Sequence, residues 1–116
     1  MIAKHDGVEA LDYLLCRGTY AGRDYHVMPS VILLDLVHPC MDGLGLLREI
    51  RDHEQTRRLP VVAFATAGEP RQVDTAYASG ANSYIGVRPG FETFEESIRR
   101  VARYWCEVNE PPPLPL

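Results

Sequence analysis

The chain of 116 residues has 12 lysine and arginine residues against 16 aspartate and glutamate residues, which gives a formal net charge of −4. This length suits one domain and leaves no space for a separate DNA-binding module. The basic residues form no stripe, so nucleic acid is not expected as a direct partner. The 3 cysteines show no CxxC pairing and the N-terminus shows no signal-type apolar stretch, so we expect a cytosolic protein without a membrane span.

A first helix is predicted to begin at Asp6, which forms an Asp-x-x-Glu capping pattern with Glu9. Gly18 is expected to end this helix. Three apolar residues recur at helical spacing and are expected on its buried face, namely Val8, Leu11 and Leu15. Residues 19–30 contain glycine, proline and several polar side chains, and they are predicted to form a loop.

Residues 31–34 form an unbroken apolar run that ends at Asp35. The run is too short and too β-branched for a helix, and it lacks the alternation of a half-exposed strand. It therefore predicts a strand that is buried on both faces of a parallel sheet. Asp35 is then expected at the carboxyl end of that strand, where open α/β sheets place their ligands.

Two βα units are predicted to follow. Asp42 is expected to cap a helix whose apolar residues face the sheet, namely Leu46, Leu47 and Ile50. Pro60 precedes a strand predicted over residues 61–64. Pro70 suits the first turn of a further helix that is expected to end at Gly80. The inward residues of that helix are predicted to be Val73, Ala76 and Tyr77.

The last strand is predicted over residues 82–86 and the last helix over about 91–107. Four apolar residues form one stripe of that helix: Phe94, Ile98, Val101 and Trp105. We divide the chain into one domain, residues 1–110, and a polyproline-like tail, residues 111–116. Strands that alternate with helices predict a parallel sheet with helices on both faces.

These motifs resemble the receiver domain of bacterial two-component response regulators. The similarity rests on Asp35, on Pro39 and Met-Asp-Gly at 41–43, and on a Gly-Ala turn at 80–81 that leads to Tyr84. The end of the chain resembles single-domain regulators that accompany phytochrome-type histidine kinases, through Tyr104-Trp105, Asn109-Glu110 and the prolines 111–113. The resemblance implies a flavodoxin-like doubly wound sheet, phosphorylation at Asp35, a switch role for Tyr84 and a histidine kinase as partner.

The chain also departs from the family pattern near its start. The family's sheet has five strands in the order 2-1-3-4-5, and its first strand ends in two acidic residues. Only residues 1–5 precede the Asp6 helix, so we expect the first strand, the first helix and the acidic pair to be absent. The resemblance implies a Mg²⁺ ion on Asp35 and the backbone carbonyl of Val37. These two groups offer too few oxygen ligands, so weak or absent Mg²⁺ binding is predicted.

Loss of that unit would also leave one edge of the Asp35 strand bare. A bare apolar edge recruits other chains, so the protein is expected to form a homodimer.

Two more departures concern residues that would contact a phosphoryl group. Ala65 stands where the family has a switch hydroxyl, and Thr66 lies one residue late, which on a continuing strand turns its side chain to the other face. Arg88-Pro89 stands for the family's Lys-Pro and is displaced by one residue at Gly86. Arginine is not an equal replacement for the compact lysine ammonium.

Three functions are therefore compared. The first is a stand-alone receiver in a phosphorelay, with phosphorylation of Asp35 impaired. The second is an interaction module that works without phosphorylation. The third is an FMN-binding flavodoxin-like enzyme, which is disfavoured because residues 39–45 lack the Ser/Thr/Gly density of a phosphate-cradling loop. We therefore expect a signalling protein that is not an enzyme.

Overall fold

The part of the chain that the structure describes contains three parallel strands, which form a sheet in which their spatial order follows their order in the chain. The computed structural model describes most of the chain, namely residues 4, 6–37, 42–66, 70–87 and 93–113. The strands are β1 (Ile32–Asp35), β2 (Val61–Thr66) and β3 (Ser83–Val87). Among the described strands β2 is central, and its first three residues are fully buried. This position explains why β2 is apolar without alternation.

Among the described residues, four α-helices accompany the sheet: α1 (Gly7–Leu15), α2 (Gly43–Asp52), α3 (Pro70–Ala78) and α4 (Phe94–Arg103). A 3₁₀ turn, Gly18–Tyr20, follows α1, and α4 continues into a π-helical turn, Tyr104–Val108. In the described part of the chain no helix is long and apolar enough to cross a membrane.

Side chains cap the first backbone amides of three of these helices. Asp6 accepts a hydrogen bond from the N–H of Val8 at 2.9 Å, and Asp42 accepts one from the N–H of Gly45 at 3.0 Å. Thr93 accepts one from the N–H of Glu96 at 3.2 Å. These bonds satisfy amides that have no partner within the helix, so the sequence itself specifies where each helix begins.

The hydrophobic core lies between one face of the sheet and the first two helices. The residues that form it are buried and apolar, and they include Leu11 and Leu14 of α1, Leu46, Leu47 and Ile50 of α2, Leu34 of β1 and Ala63 of β2. Ala76 of α3 joins the same cluster. The burial of α2 follows its predicted apolar positions, which confirms that prediction.

The last helix covers the opposite face of the sheet. Phe64 follows Ala63 along β2, so its side chain points to the other face of the sheet. The rings of Phe64 and Phe94 contact each other, with centroids 4.9 Å apart. Helices therefore lie on both faces of a parallel sheet, and the predicted doubly wound α/β fold is confirmed.

Three details of the predictions were wrong. Val8 is 68% exposed, because the face of α1 that meets the core is centred on Leu11 and Leu14. The helix ends at Leu15, before Gly18, since Cys16 adopts a left-handed conformation with φ of 54°. Tyr77 is 48% exposed and the small Ala76 beside it is buried.

The last helix is also shorter than predicted, because its α-helical part runs from Phe94 to Arg103 only. Residues 111–113 of the predicted tail are exposed and lie outside any helix or strand, while residues 114–116 lie outside the described part of the chain. The division into residues 1–110 and 111–116 stays a prediction.

Candidate functional site

Asp35 is the last residue of β1, as the apolar run before it predicts. It is in register with Phe64 of β2, which is in turn in register with Ile85 of β3. Its carboxylate oxygen Oδ1 accepts a hydrogen bond from the backbone N–H of Val37 at 2.9 Å. This bond orients the carboxylate at the carboxyl edge of the sheet, the edge where α/β proteins bind their ligands.

The start of α2 lies directly against this strand end. A Cβ atom on Gly43 would lie 3.2 Å from the carbonyl oxygen of Asp35 and 3.0 Å from Cδ2 of Leu36. Gly43 is itself buried. A glycine therefore allows close approach of the helix to the candidate acceptor, a role that sequence reasoning missed although it noted the Met-Asp-Gly motif.

Glycine is also required at position 45, because a side chain there would have no space. A Cβ atom there would overlap with Oδ2 of Asp42, the side chain that caps α2. The spacing Asp-Gly-x-Gly thus keeps space on both sides of the first turn of α2. The Asp-Gly-x-Gly spacing is visible in the sequence, but only the contact distances show which atoms a side chain at Gly43 or Gly45 would meet.

The end of β2 places Ala65 beside this edge. Ala65 is 3% exposed and in register with Gly86 of β3. β2 continues through Thr66, whose backbone is in register with Val87. The side chain of Thr66 lies outside the described part of the structure. The contact predicted for Thr66 therefore stays a prediction.

Tyr84 lies one layer further into the sheet, in register with Ala63. Its side chain packs against the core, and its hydroxyl is buried with no hydrogen-bond partner among the described residues. A buried hydroxyl without a partner raises the energy of the conformation that holds it.

Several predicted positions fall outside the described residues. Arg88 is among them, as are Pro39 and Met41 of the Asp35 motif. The structure therefore brings together Asp35, Val37, Gly43 and the ends of β2 and β3.

The described residues do not fit a Mg²⁺ site by themselves. Asp35 supplies one carboxylate, and one oxygen of that group already accepts the N–H of Val37. Within residues 4–37, 42–66, 70–87 and 93–113, leaving out residue 5, no group of three or more His, Cys, Asp or Glu side chains could hold a metal ion. Mg²⁺ requires near-octahedral oxygen coordination, so further ligands would have to come from elsewhere.

Known proteins were compared with the chain. No family model matches it. The probable methanogenesis regulatory protein FilR2 of Methanothrix harundinacea is 35% identical over 108 residues, which are 92% of this chain and 66% of the relative. Response regulator Rcp1 of Synechocystis is 28% identical over 93% of this chain and 71% of the relative. The chain thus spans about two thirds of the length of these relatives.

Solved structures show the same similarity. The phosphorylated cyanobacterial phytochrome response regulator RcpA matches with a TM-score of 0.82 and 28% identity, over 97% of this chain and 78% of that one. A response regulator in red light signalling of R. palustris matches with a TM-score of 0.78 and 31% identity, over 93% of this chain and 76% of that one. The Mn²⁺-bound form of Rcp1 matches with a TM-score of 0.77 and 28% identity, over 93% of this chain and 76% of that one.

Sequence, fold and the position of Asp35 agree with one another. The solved structures that match include a phytochrome response regulator, and the fold of the chain agrees with solved response regulators at TM-scores of 0.82 and 0.78. The chain belongs to the response regulator receiver family of two-component signalling.

Proposed function

We propose that the chain works as a phosphorelay receiver in which Asp35 is the phospho-acceptor. The observation that carries this proposal is the placement of Asp35 at the end of β1, with its carboxylate oriented by the N–H of Val37 at 2.9 Å. Receivers of this family act in phosphorelay signalling and not as enzymes. Similarity to RcpA and to the red light regulator of R. palustris supports a phytochrome-type sensor histidine kinase as the donor.

The proposed transfer needs one free carboxylate oxygen. Oδ1 of Asp35 is engaged by Val37, which leaves Oδ2 as the nucleophile. Oδ2 forms a bond to phosphorus while the P–N bond of the kinase phosphohistidine breaks. The product is an aspartyl phosphate, and the imidazole leaves as the neutral ring after it takes up a proton. Positioning and charge neutralisation supply most of the rate in such transfers.

We further propose that the transfer is impaired in this chain as given. A divalent cation would neutralise charge on the transferring oxygens, and the Mn²⁺-bound Rcp1 supports a cation for the family. Here Asp35 and the carbonyl of Val37 are the proposed ligands, and they are insufficient alone. Ala65 offers no hydroxyl to a phosphoryl group. Thr66 and Arg88 are the remaining proposed contacts.

Tyr84 is the proposed switch residue. Its buried hydroxyl has no partner among the described residues, so an outward orientation that reaches water would relieve that cost. Without a hydroxyl at position 65, phosphorylation would make few new contacts that favour either orientation. A ligand shifts an equilibrium only by its differential contacts, so the proposed switching is weak.

We also propose a homodimer formed at the outer edge of β1. Within the described residues β1 pairs with β2 alone, so its other edge has no strand neighbour there. Unpaired strand edges favour pairing with another chain. Sedimentation velocity at micromolar concentration tests this proposal, and a compact monomer would contradict it.

Incubation with acetyl phosphate and Mg²⁺, followed by intact mass measurement, tests the acceptor and its impairment. We expect a small fraction of singly phosphorylated protein, much less than Rcp1 gives under the same conditions. The signal should disappear in Asp35→Asn and persist in Asp52→Asn, an exposed carboxylate at the end of α2. Stoichiometric phosphorylation would refute the impairment.

The alternative function is an interaction module that works without phosphorylation. It would be favoured if no phosphoryl group is found on Asp35 and Asp35→Asn binds the kinase as tightly as the unmodified chain. The absence of a hydroxyl at Ala65 is the observation in its favour.

A further inference from the structure

A cluster of aromatic rings surrounds the side-chain ammonium of Lys4. Nζ of Lys4 lies 4.4 Å from the ring centroid of Tyr20 and 5.0 Å from that of Tyr13. The two rings meet edge to face, with centroids 5.2 Å apart and an angle of 79° between their planes. The ammonium therefore lies near the Tyr13 ring and at the hydroxyl end of the Tyr20 ring, and aromatic rings within about 6 Å of a cation attract alkylammonium groups.

Polar atoms complete the enclosure. Nζ of Lys4 donates a hydrogen bond to Oη of Tyr20 at 2.6 Å, and Oη of Tyr20 donates one to Oε1 of Glu9 at 2.8 Å. Oε1 of Glu9 lies 3.5 Å from Nζ. The Lys4 side chain is 18% exposed, so most of its length is covered by these neighbours. The ammonium thus contacts an aromatic ring, a hydroxyl and a carboxylate.

The rings are themselves held in place. Cζ of Arg23 lies 4.2 Å from the ring centroid of Tyr13, and Nε of Arg23 donates to the carbonyl oxygen of Tyr13 at 2.8 Å. Arg23 also bonds the carbonyl oxygens of Leu14 and Val27. Tyr13 thus belongs to a junction between α1 and the loop that follows it, and Arg23 holds its ring independently of Lys4.

We propose that Tyr13, Tyr20 and Glu9 form a binding site for an alkylammonium group, and that Lys4 of the same chain is its resident ligand. Binding of Lys4 at this site holds residue 4, which precedes α1, against α1 and against the 3₁₀ turn that follows the helix. Lys4 is the sole lysine of the sequence, so the chain has one side chain of this chemistry to fill the site. The hydrogen bond to Tyr20 and the nearby Glu9 raise the pKa of Lys4, which keeps its charge in place.

Chemical rescue tests the proposal. In Lys4→Ala the missing atoms correspond to n-propylammonium, so this ion is the probe, and its binding is followed through the ring NMR signals of Tyr13 and Tyr20. We expect saturable shifts in Lys4→Ala. In the unmodified chain the probe should bind at least about tenfold more weakly, because a tethered ammonium competes at an effective concentration of millimolar or more.

The controls distinguish a cation-binding site from a hydrophobic pocket. Neutral n-propanol should give no saturable shift, and Lys4→Ala combined with Tyr20→Phe and Glu9→Gln should lose the binding of n-propylammonium. Equal effects of the alcohol and the ammonium, or equal affinities with and without Lys4, would overturn the proposal.

A second measurement uses the chain with Lys4 present. The pKa of the Lys4 ammonium, followed by NMR of its Cε group, should fall towards its ordinary value in Tyr20→Phe. The pKa should not change in Tyr25→Phe, because the Tyr25 ring instead meets the His26 ring edge to face. An unchanged pKa in Tyr20→Phe would contradict the proposed enclosure.

Discussion

Arg51 donates a hydrogen bond from Nη2 to the side-chain oxygen of Asn82 at 2.7 Å, across 31 positions of the chain. The same oxygen accepts the backbone N–H of Val61 at 2.8 Å. The other nitrogens of Arg51 donate to the carbonyl oxygens of Gly80 at 2.8 Å, Leu59 at 2.8 Å and Arg57 at 3.0 Å. One guanidinium thus joins the end of α2 to the segments that lead into β2 and β3. Its partial burial lowers the pKa of Arg51, yet the group stays charged at neutral pH.

Arg51→Lys should reduce the free energy of unfolding by about 2 to 4 kcal/mol, because an ammonium cannot reproduce the planar fork and leaves partly buried carbonyls without donors. Arg48→Lys, on the exposed side of α2, is the control. It should change the free energy of unfolding by less than about 0.5 kcal/mol. Urea unfolding of the three proteins measures both effects. Equal stability of the two variants would show that the network is dispensable.

Thr56→Val should destabilise the protein by about 1 to 3 kcal/mol. Thr56 is fully buried, and its hydroxyl donates to the carbonyl oxygen of Ile50 at 2.7 Å, so valine leaves that carbonyl unpaired. Thr75→Val is the matched control, because the Thr75 hydroxyl donates to the carbonyl of Arg71 at 2.8 Å in an exposed bond that water can replace. Thermal unfolding measures the stability of both variants. An equal loss of stability in Thr56→Val and Thr75→Val would contradict this prediction.

Gly43→Ala should destabilise the protein by about 1 to 2 kcal/mol and disturb the backbone at Asp35, since the new Cβ meets the carbonyl oxygen of Asp35. The control is Gly22→Ala, where no atom lies within 4 Å of the added Cβ. That change should be neutral or stabilising by up to about 1 kcal/mol. Amide NMR shifts of residues 35–37 provide the local readout. Unchanged shifts in Gly43→Ala would argue against the close approach.

Tyr84→Phe should leave stability unchanged or raise it by about 1 kcal/mol, because it removes a buried hydroxyl that has no partner among the described residues. The ring, which packs on the core, is retained. Calorimetry measures the change in melting temperature. A clear loss of stability would mean that the hydroxyl has a partner in solution.

Asp24 should titrate below its ordinary pKa of 3.8, mainly because it accepts the backbone N–H of His26 and then because of the His26 ring. The unfolded chain takes up this proton first as the pH falls. Asp24 therefore contributes stability above a pH of about 4 and loses that contribution as the pH drops through its folded-state pKa. His26→Ala keeps the backbone N–H and should keep most of the shift. Carboxyl NMR titration checks this, and complete loss of the shift in His26→Ala would assign it to the ring.

Local patterns in the sequence predicted much of the fold. The apolar run before Asp35, the capping residues Asp6 and Asp42 and the apolar face of α2 each depend on neighbours a few positions away. Each was found at its predicted position. The prediction that β1 is buried on both faces was wrong, because Leu34 on the core face is buried whereas Ile32 and Leu33 are half-buried.

Other features depend on contacts between distant residues and could not be predicted in this way. The partners of Arg51 lie up to 31 positions from it, and Lys4 meets Tyr20 across 16 positions. The exposed side of α1 was also misjudged, because Val8 has the correct spacing but lies outside the face that meets the core. In the candidate site, Asp35 could be placed from sequence, whereas the contact of Gly43 with its carbonyl required the fold.

The order β1-β2-β3 also bears on how the domain is assembled. Among the described strands, β2 pairs with β1 and β3 pairs with β2, so each pairing joins strands that are neighbours in the chain. During synthesis, β2 can join β1 as soon as α2 has closed the connection, and β3 can then join β2. The sheet edge that carries Asp35 can thus be completed by addition of one βα unit at a time, in the order of translation.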